Sequence, residues 1–219
     1  MQRYGTYERG YVAGPDTLGK VLGLLGIAAI FTAAGALIGP SLGRGGLLIG
    51  FIGSLACAFI LPAVRERTPL NYILLFGFGL LEGILLGQIL ESYLNAGLGV
   101  LVLDAALATG LVTLIAGGIG YTTKRDLTGM GGILFIGLIA LIVASVVGIF
   151  IHLAIFQIAI SAIGAVLFSA YLVFDLNRIA NSPQATAGDA IVLALSVYLD
   201  IVNLFLFLLR LLGVLRGNN

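Results

Sequence analysis

Tryptophan is absent from this chain of 219 residues, and cysteine and histidine occur once each, as Cys57 and His152. A single thiol forms no internal disulfide, and one Cys with one His builds neither a zinc nor a haem framework. Charge is scarce too: 10% of residues are Asp, Glu, Lys or Arg, against about 25% in a soluble domain. So few charges do not cover a water-soluble globule. Together with 60% hydrophobic residues, the scarcity also excludes a disordered chain, which needs low hydrophobicity and high charge. The net charge of +1 comes without a basic block, which argues against a nucleic-acid surface. Enzyme signatures are missing as well. There is no HExxH, no GxSxG with a His partner and no P-loop. The expectation is a protein that is not an enzyme and carries no cofactor.

What is present is apolar sequence in long runs, with a mean hydropathy of +1.15. A membrane span needs about 20 mostly apolar residues. Seven segments qualify: 20–39, 46–64, 70–90, 98–121, 130–151, 154–177 and 189–214. Spans five and six nearly touch, which demands a tight turn at His152. Residues 1–19 read as a short polar and aromatic tail without the pattern of a cleavable signal peptide. Residues 20–219 then form a single transmembrane domain. The 32 glycines, costly in a soluble helical protein, permit close backbone approach between membrane helices. Lys and Arg set the orientation. The tail and the loops after spans two, four and six carry Arg3, Arg9, Lys20, Arg65, Arg67, Lys124, Arg125 and Arg178. The other side carries Arg44, Arg210 and Arg216. This places the N-terminus in the cytoplasm.

Ionisable residues inside spans are costly and therefore mark candidate sites. Asp200 lies near the middle of span seven, with Ser196 and Asn203 on the same helical face. It must face the bundle interior or a water-filled cavity. Asp175 lies near the cytoplasmic end of span six, with Arg178 at i+3 as a local partner. Spans six and seven are consecutive and antiparallel, so the two carboxylates can reach similar depth. Two carboxylates sharing a site do not both ionise cheaply and titrate as a unit. Arg65 and Arg67 end span two on the same side and are either membrane anchors or inward partners for an acid. Glu82 sits mid-span beside a ridge of Gly79, Gly83 and Gly87 that brings a neighbouring helix close. Asp104 reads as a snorkelling residue. An aspartyl intramembrane protease would also use two acids, but its Gly-x-Gly-Asp pattern is missing around both.

The segments FSAYLVFDLNRI and ALSVYLDIVNLFLFLLRLL, with the upstream TTKRDLTGMGGILFIGLIALIVASVVGIF and RTPLNYILLFGFGLLEGILLG, resemble the Bax inhibitor-1 family (transmembrane Bax inhibitor motif proteins), in its bacterial form. The resemblance covers about residues 65 to 215. It implies seven helices with the C-terminal one central and wrapped by the other six. It also implies a pH-sensitive calcium leak channel in which Asp175 and Asp200 share a proton and gate a pore. Arg65 matches an arginine that bonds to the pair in one state. A Glu that some members carry earlier in span two is replaced here by Ser54 or its surroundings.

The resulting expectation is an integral protein of a prokaryotic plasma membrane that passes Ca²⁺ as its permeating ion. Asp175, Asp200 and Arg65 form the sensor and gate, the two acids hold Ca²⁺ transiently, and Glu82, Asn203 and Ser196 are interior polar groups. Its partners are the bilayer, calcium ions, protons and other membrane proteins. The rival readings are a non-conducting interaction protein that modulates cell death or membrane proteases, and a proton-coupled transporter.

Overall fold

The computed structural model describes residues 15–151, 153–182 and 185–217. The N-terminal tail up to residue 14 and His152, where a tight turn is expected, lie outside these. The described residues are helical and contain no strand. They form α1 (Pro15–Ile38), α2 (Gly43–Ile60), α3 (Leu70–Asn95), α4 (Gly99–Thr122), α5 (Gly131–Phe150), α6 (Ala154–Ala180) and α7 (Ala187–Gly217). Short 3-10 turns at Gly39–Leu42, Leu61–Val64 and Thr128–Met130 complete the set. Six stretches are long and apolar enough to cross a membrane. Thr17–Val64 counts as one of them, because α1, the turn at Gly39–Leu42 and α2 follow one another without a gap.

Inside that 48-residue stretch the chain reverses. Pro40 lacks the N–H that would continue α1, and Gly43 takes φ 54°, a conformation that a side chain would strain. The reversal is legible in the packing against α3. Gly79, Gly83 and Gly87 lie on the backbones of Ala28, Thr32 and Ala36 in turn, so α1 runs parallel to α3. Gly46 lies against Gln88 and Ile84, and Gly53 against Leu81, so α2 runs antiparallel to it. The glycine ridge read from the sequence is therefore the α1–α3 contact. No side chain separates the two backbones there.

Helix ends follow local chemistry. α3 stops in a Schellman motif: Gly97 has φ 71°, its N–H reaches Leu94 at 3.0 Å, and the N–H of Leu98 reaches Tyr93 at 2.8 Å. α7 starts in a reciprocal capping box. The Asp189 N–H donates to the Thr186 hydroxyl at 3.0 Å and the Thr186 N–H donates to the Asp189 carboxylate at 3.1 Å.

α7 packs against α6, α4, α1 and α3. Its apolar window is 44% buried, against 17% for the α1–α2 stretch and for α5. The main core includes Ile191, Ala194, Val197 and Leu204 of α7 with Leu172 and Phe168 of α6 and Leu75 and Phe78 of α3. α6 and α7 run antiparallel: Phe168 of α6 stacks on Phe207 of α7 at 5.7 Å, and farther along the same pair of helices Asp175 meets Asp200. Outward faces carry Leu107, Leu111, Leu114, Ile136, Val143 and Ile149, all exposed, as lipid contact requires.

Candidate functional site: an aspartate pair between two helices

Asp175 and Asp200 are both buried, at 4% and 5% exposure. α6 and α7 bring their carboxyl groups close enough for each to act electrostatically on the other. The sequence places each acid on the inward face of its helix: Leu172 and Ile179 flank Asp175, and Val197 and Leu204 flank Asp200, all buried. One Asp200 oxygen, Oδ2, has no hydrogen-bond partner among the described residues. An orphaned oxygen of a buried acid calls for a proton, a water or a cation. The phenol of Tyr171, one turn before Asp175, lies within electrostatic reach of both acids.

Among the described residues a single guanidinium attends the pair. Arg178 donates to Asp175 at 3.1 Å and stacks over the Phe174 ring at 5.8 Å. Two acids and one cation leave the cluster one positive charge short of balance.

Arg65, which the resemblance pairs with the aspartates in one state, does not meet them in this structure. Its guanidinium is 3.6 Å from Asp189 and 3.7 Å from Glu66, and its side chain is 52% exposed. Asp189 precedes Asp200 by three turns of α7, or about 16 Å at the helical rise. A guanidinium held there does not reach the diad. The local i, i+3 partner Arg178 takes that position because no long-range ordering is required. Around Arg65 the loop after α2 clasps the α6–α7 loop. Its carbonyl accepts from Asn71 at 2.6 Å, the Thr186 hydroxyl bonds Glu66 at 2.9 Å, and a Cβ at Gly188 would lie 2.6 Å from the Arg65 oxygen. Sequence reasoning missed Asp189 and Glu66. The Thr-x-x-Asp pattern of Thr186 to Asp189 is the signal that marks the start of α7 and with it the position of Asp189.

The remaining expected residues do not join the pair. Asn203 is half-buried and donates to the Leu199 carbonyl of its own helix at 2.8 Å. Ser196 is half-buried on α7, and Asp104 is exposed on α4. Ser54 of α2 lies beside Glu82 of α3, so the position at which a family glutamate is replaced still places a polar group near an interior acid. The described residues contain no group of three or more His, Cys, Asp or Glu that would hold a metal ion. A cleft of about 380 Å³ lies between α1 and α7, lined by Gly26, Ala29, Thr32, Tyr198 and Val202 among others, and neither aspartate reaches it.

Two further polar anchors were not foreseen. Asn177, buried beside Asp175 in sequence, accepts from the Leu127 N–H at 3.1 Å and donates to the carbonyls of Thr123 at 2.9 Å and Gly120 at 3.2 Å. It ties the α4–α5 loop to α6. At the other end of the bundle Arg210 bonds Gln157, which donates to the Gly148 and Ile151 carbonyls at 2.7 and 2.8 Å.

Comparison with known proteins accords with this architecture. Residues 15–217 match a family model described as "Inhibitor of apoptosis-promoting Bax1". The chain is 33% identical over 199 residues to an uncharacterized protein of Campylobacter jejuni, covering 90% of this chain and 80% of the relative. It is 35% identical over 163 residues to an uncharacterized membrane protein of Vibrio cholerae, covering 74% and 71%. It is 32% identical over 171 residues to the Golgi anti-apoptotic protein of vaccinia virus, covering 77% and 68%. With its apolar helices, this makes the chain an integral membrane protein belonging to the Bax inhibitor-1 family.

Proposed function

We propose that this protein is a pH-sensitive calcium leak channel gated by protonation of the Asp175–Asp200 pair. One observation carries the reading: among the described residues, two buried carboxylates from consecutive helices meet with a single guanidinium beside them and one oxygen left unpartnered. Adjacent carboxylates share a proton, and the pair titrates as a unit. With one proton bound, the cluster of two acids and Arg178 is neutral and holds α6 to α7. Protonation or deprotonation changes that balance, and the α6–α7 contact is the two-state element it biases. Oxygen donors suit Ca²⁺, a hard cation, and so few of them favour weak, leaky passage over tight binding.

In this reading the helices cross the membrane seven times. α1 and α2 cross separately because the chain reverses at Gly43, and α7 is the central helix. The N-terminus is cytoplasmic, as the distribution of Lys and Arg requires, and the host is a prokaryotic plasma membrane, in keeping with the bacterial relatives. The protein is not an enzyme and uses no resident cofactor; its partners are lipid, calcium ions and protons. Arg178 supplies the cation of the latch, and Arg65 fixes the start of α7 through Asp189. The test is Ca²⁺ entry into dye-loaded vesicles carrying the purified chain. Flux above empty vesicles that varies with pH supports the channel, and its absence at every pH refutes it.

A second reading is a non-conducting regulator of cell-death or membrane-protease machinery that works through membrane-protein contacts; the vaccinia relative's name, Golgi anti-apoptotic protein, favours its cell-death side. A proton-coupled transporter would instead show saturable flux with proton counter-movement.

A further inference from the structure

Tyr198 precedes Asp200 by two residues, so at 3.6 residues per turn the phenol and the carboxylate leave α7 on nearly opposite faces. The phenol side holds a second polar node. The Tyr198 hydroxyl is 2.6 Å from the Thr32 hydroxyl of α1, and the Thr32 oxygen is 2.8 Å from the Ala28 carbonyl. A carbonyl only accepts, so the single hydroxyl hydrogen of Thr32 goes to Ala28. Tyr198 must then donate to Thr32. The phenol hydrogen is thereby committed, and its oxygen keeps a free lone pair.

Glu82 of α3 lies within electrostatic reach of this phenol. It is held in place by the α1–α3 contact: a Cβ on its neighbour Gly83 would stand 2.8 Å from the Thr32 Cα. α2 faces Glu82 with Ser54, whose one hydrogen is contested by the Phe51 carbonyl at 3.3 Å. The titratable group facing Glu82 is Tyr198 from α7. α1 contributes the hydroxyl of Thr32 through that phenol, and among the described residues no ammonium or guanidinium acts on the acid. The census leaves an ionised Glu82 with at most one donor and no countercharge at bilayer depth. That is strongly unfavourable. A carboxylic acid needs no countercharge, and the Tyr198 ring, which Phe78 one turn before Glu82 meets at 5.3 Å, offers an acceptor oxygen on that side of α3.

We infer that Glu82 is a second proton-binding site of the membrane domain, separate from the aspartate pair. The site lies beside the hydroxyl chain that runs from Tyr198 through Thr32 to the Ala28 carbonyl. The site joins α3 and α1 to the helix that carries Asp200. Its loss of a proton would loosen α7 from the side opposite the diad. The inference does not require that the protein conduct calcium.

Infrared spectroscopy of the full chain in lipid vesicles at neutral pH tests it, through the carbonyl stretch of protonated carboxyl groups. The expected result is a band that disappears in Glu82→Gln and persists in the Asp175→Asn/Asp200→Asn double variant. The band should shift in Tyr198→Phe, which keeps the acid but removes its acceptor. Tyr198→Phe also covers the case in which Glu82→Gln does not fold. The inference is overturned if Glu82→Gln removes no band, if the band vanishes with the aspartates, or if Tyr198→Phe leaves it unmoved. Failure of the calcium-leak reading would leave the band intact, so the two outcomes are distinguishable.

Discussion

Replacing Gly83 by Ala would force α1 away from α3. A Cβ there meets the backbone oxygen of Thr32 and comes within 2.8 Å of its Cα. Carbon atoms prefer about 3.5–4.0 Å, so a shift of roughly 1 Å is required, and the opposing atoms are backbone that cannot rotate aside. Gly79 and Gly87 press on Ala28 and Ala36 in the same way, so the helix cannot pivot around the intrusion. Overpacking of this kind costs about 1–3 kcal/mol, and the better helix propensity of alanine returns at most about 1 kcal/mol. The expected net loss, about 1–2 kcal/mol, lowers the melting temperature by about 2–8 °C in a chain of this length. Gly77→Ala is the control, because nothing lies within 4 Å of a Cβ there and only the propensity gain remains. Thermal unfolding in detergent can be followed by labelling Cys57, the single, half-buried thiol. The reasoning is refuted if Gly83→Ala melts at or above the wild-type temperature while Gly77→Ala does not exceed it.

Four other outcomes are expected. Asn177→Ala removes two hydrogen bonds to the α4–α5 loop and one to the last turn of α4, each worth about 0.5–1.5 kcal/mol; amide exchange at Leu127 should accelerate, and unchanged exchange would contradict the anchor. Gln157→Leu strands Arg210 and the carbonyls of Gly148 and Ile151 and should cost about 2–4 kcal/mol, measured as a fall in melting temperature. Asp189→Asn breaks a partly exposed pair with Arg65 and should cost no more than about 1 kcal/mol; a larger loss would mean that the clasp is more than a surface contact. In the α4–α5 loop, the hydroxyl and N–H of Thr128 hold the Asp126 carboxyl below the usual value for aspartate. The stability it contributes is present above the unfolded-state value and is lost as pH falls through the lowered one. An NMR titration should show Asp126 moving back up in Thr128→Val.

The sequence carries the helices plainly because hydropathy is a property of consecutive residues. The span expected at 70–90 is α3 (Leu70–Asn95), and the one expected at 154–177 is α6 (Ala154–Ala180). The Gly79, Gly83 and Gly87 ridge is also local, since spacing alone puts the three on one face. The approach of Asp175 to Asp200 is only a possibility in the sequence, since consecutive antiparallel helices bring the two acids to similar depth only if span six runs a turn past Asp175; α6 continues to Ala180. What escapes the sequence depends on which non-adjacent elements meet. Arg65 ends a span and has several acids within plausible reach, and nothing local distinguishes Asp189 from Asp200 as its partner. Glu82 and Ser54 are on adjoining spans, but their facing each other depends on the reversal at Gly43. Arg210 reads as one of a few charges on the outer side, whereas in the fold it is half-buried and bonded to Gln157 of α6.

The most direct test of the central claim is the pH profile of Ca²⁺ entry into vesicles carrying wild-type chain, Asp175→Asn or Asp200→Asn. If the shared proton of the pair is the gate, wild-type flux changes with pH and each single substitution flattens the profile. A pH dependence that survives unchanged in Asp200→Asn would contradict the latch and leave the two acids as buried structural partners of α6 and α7.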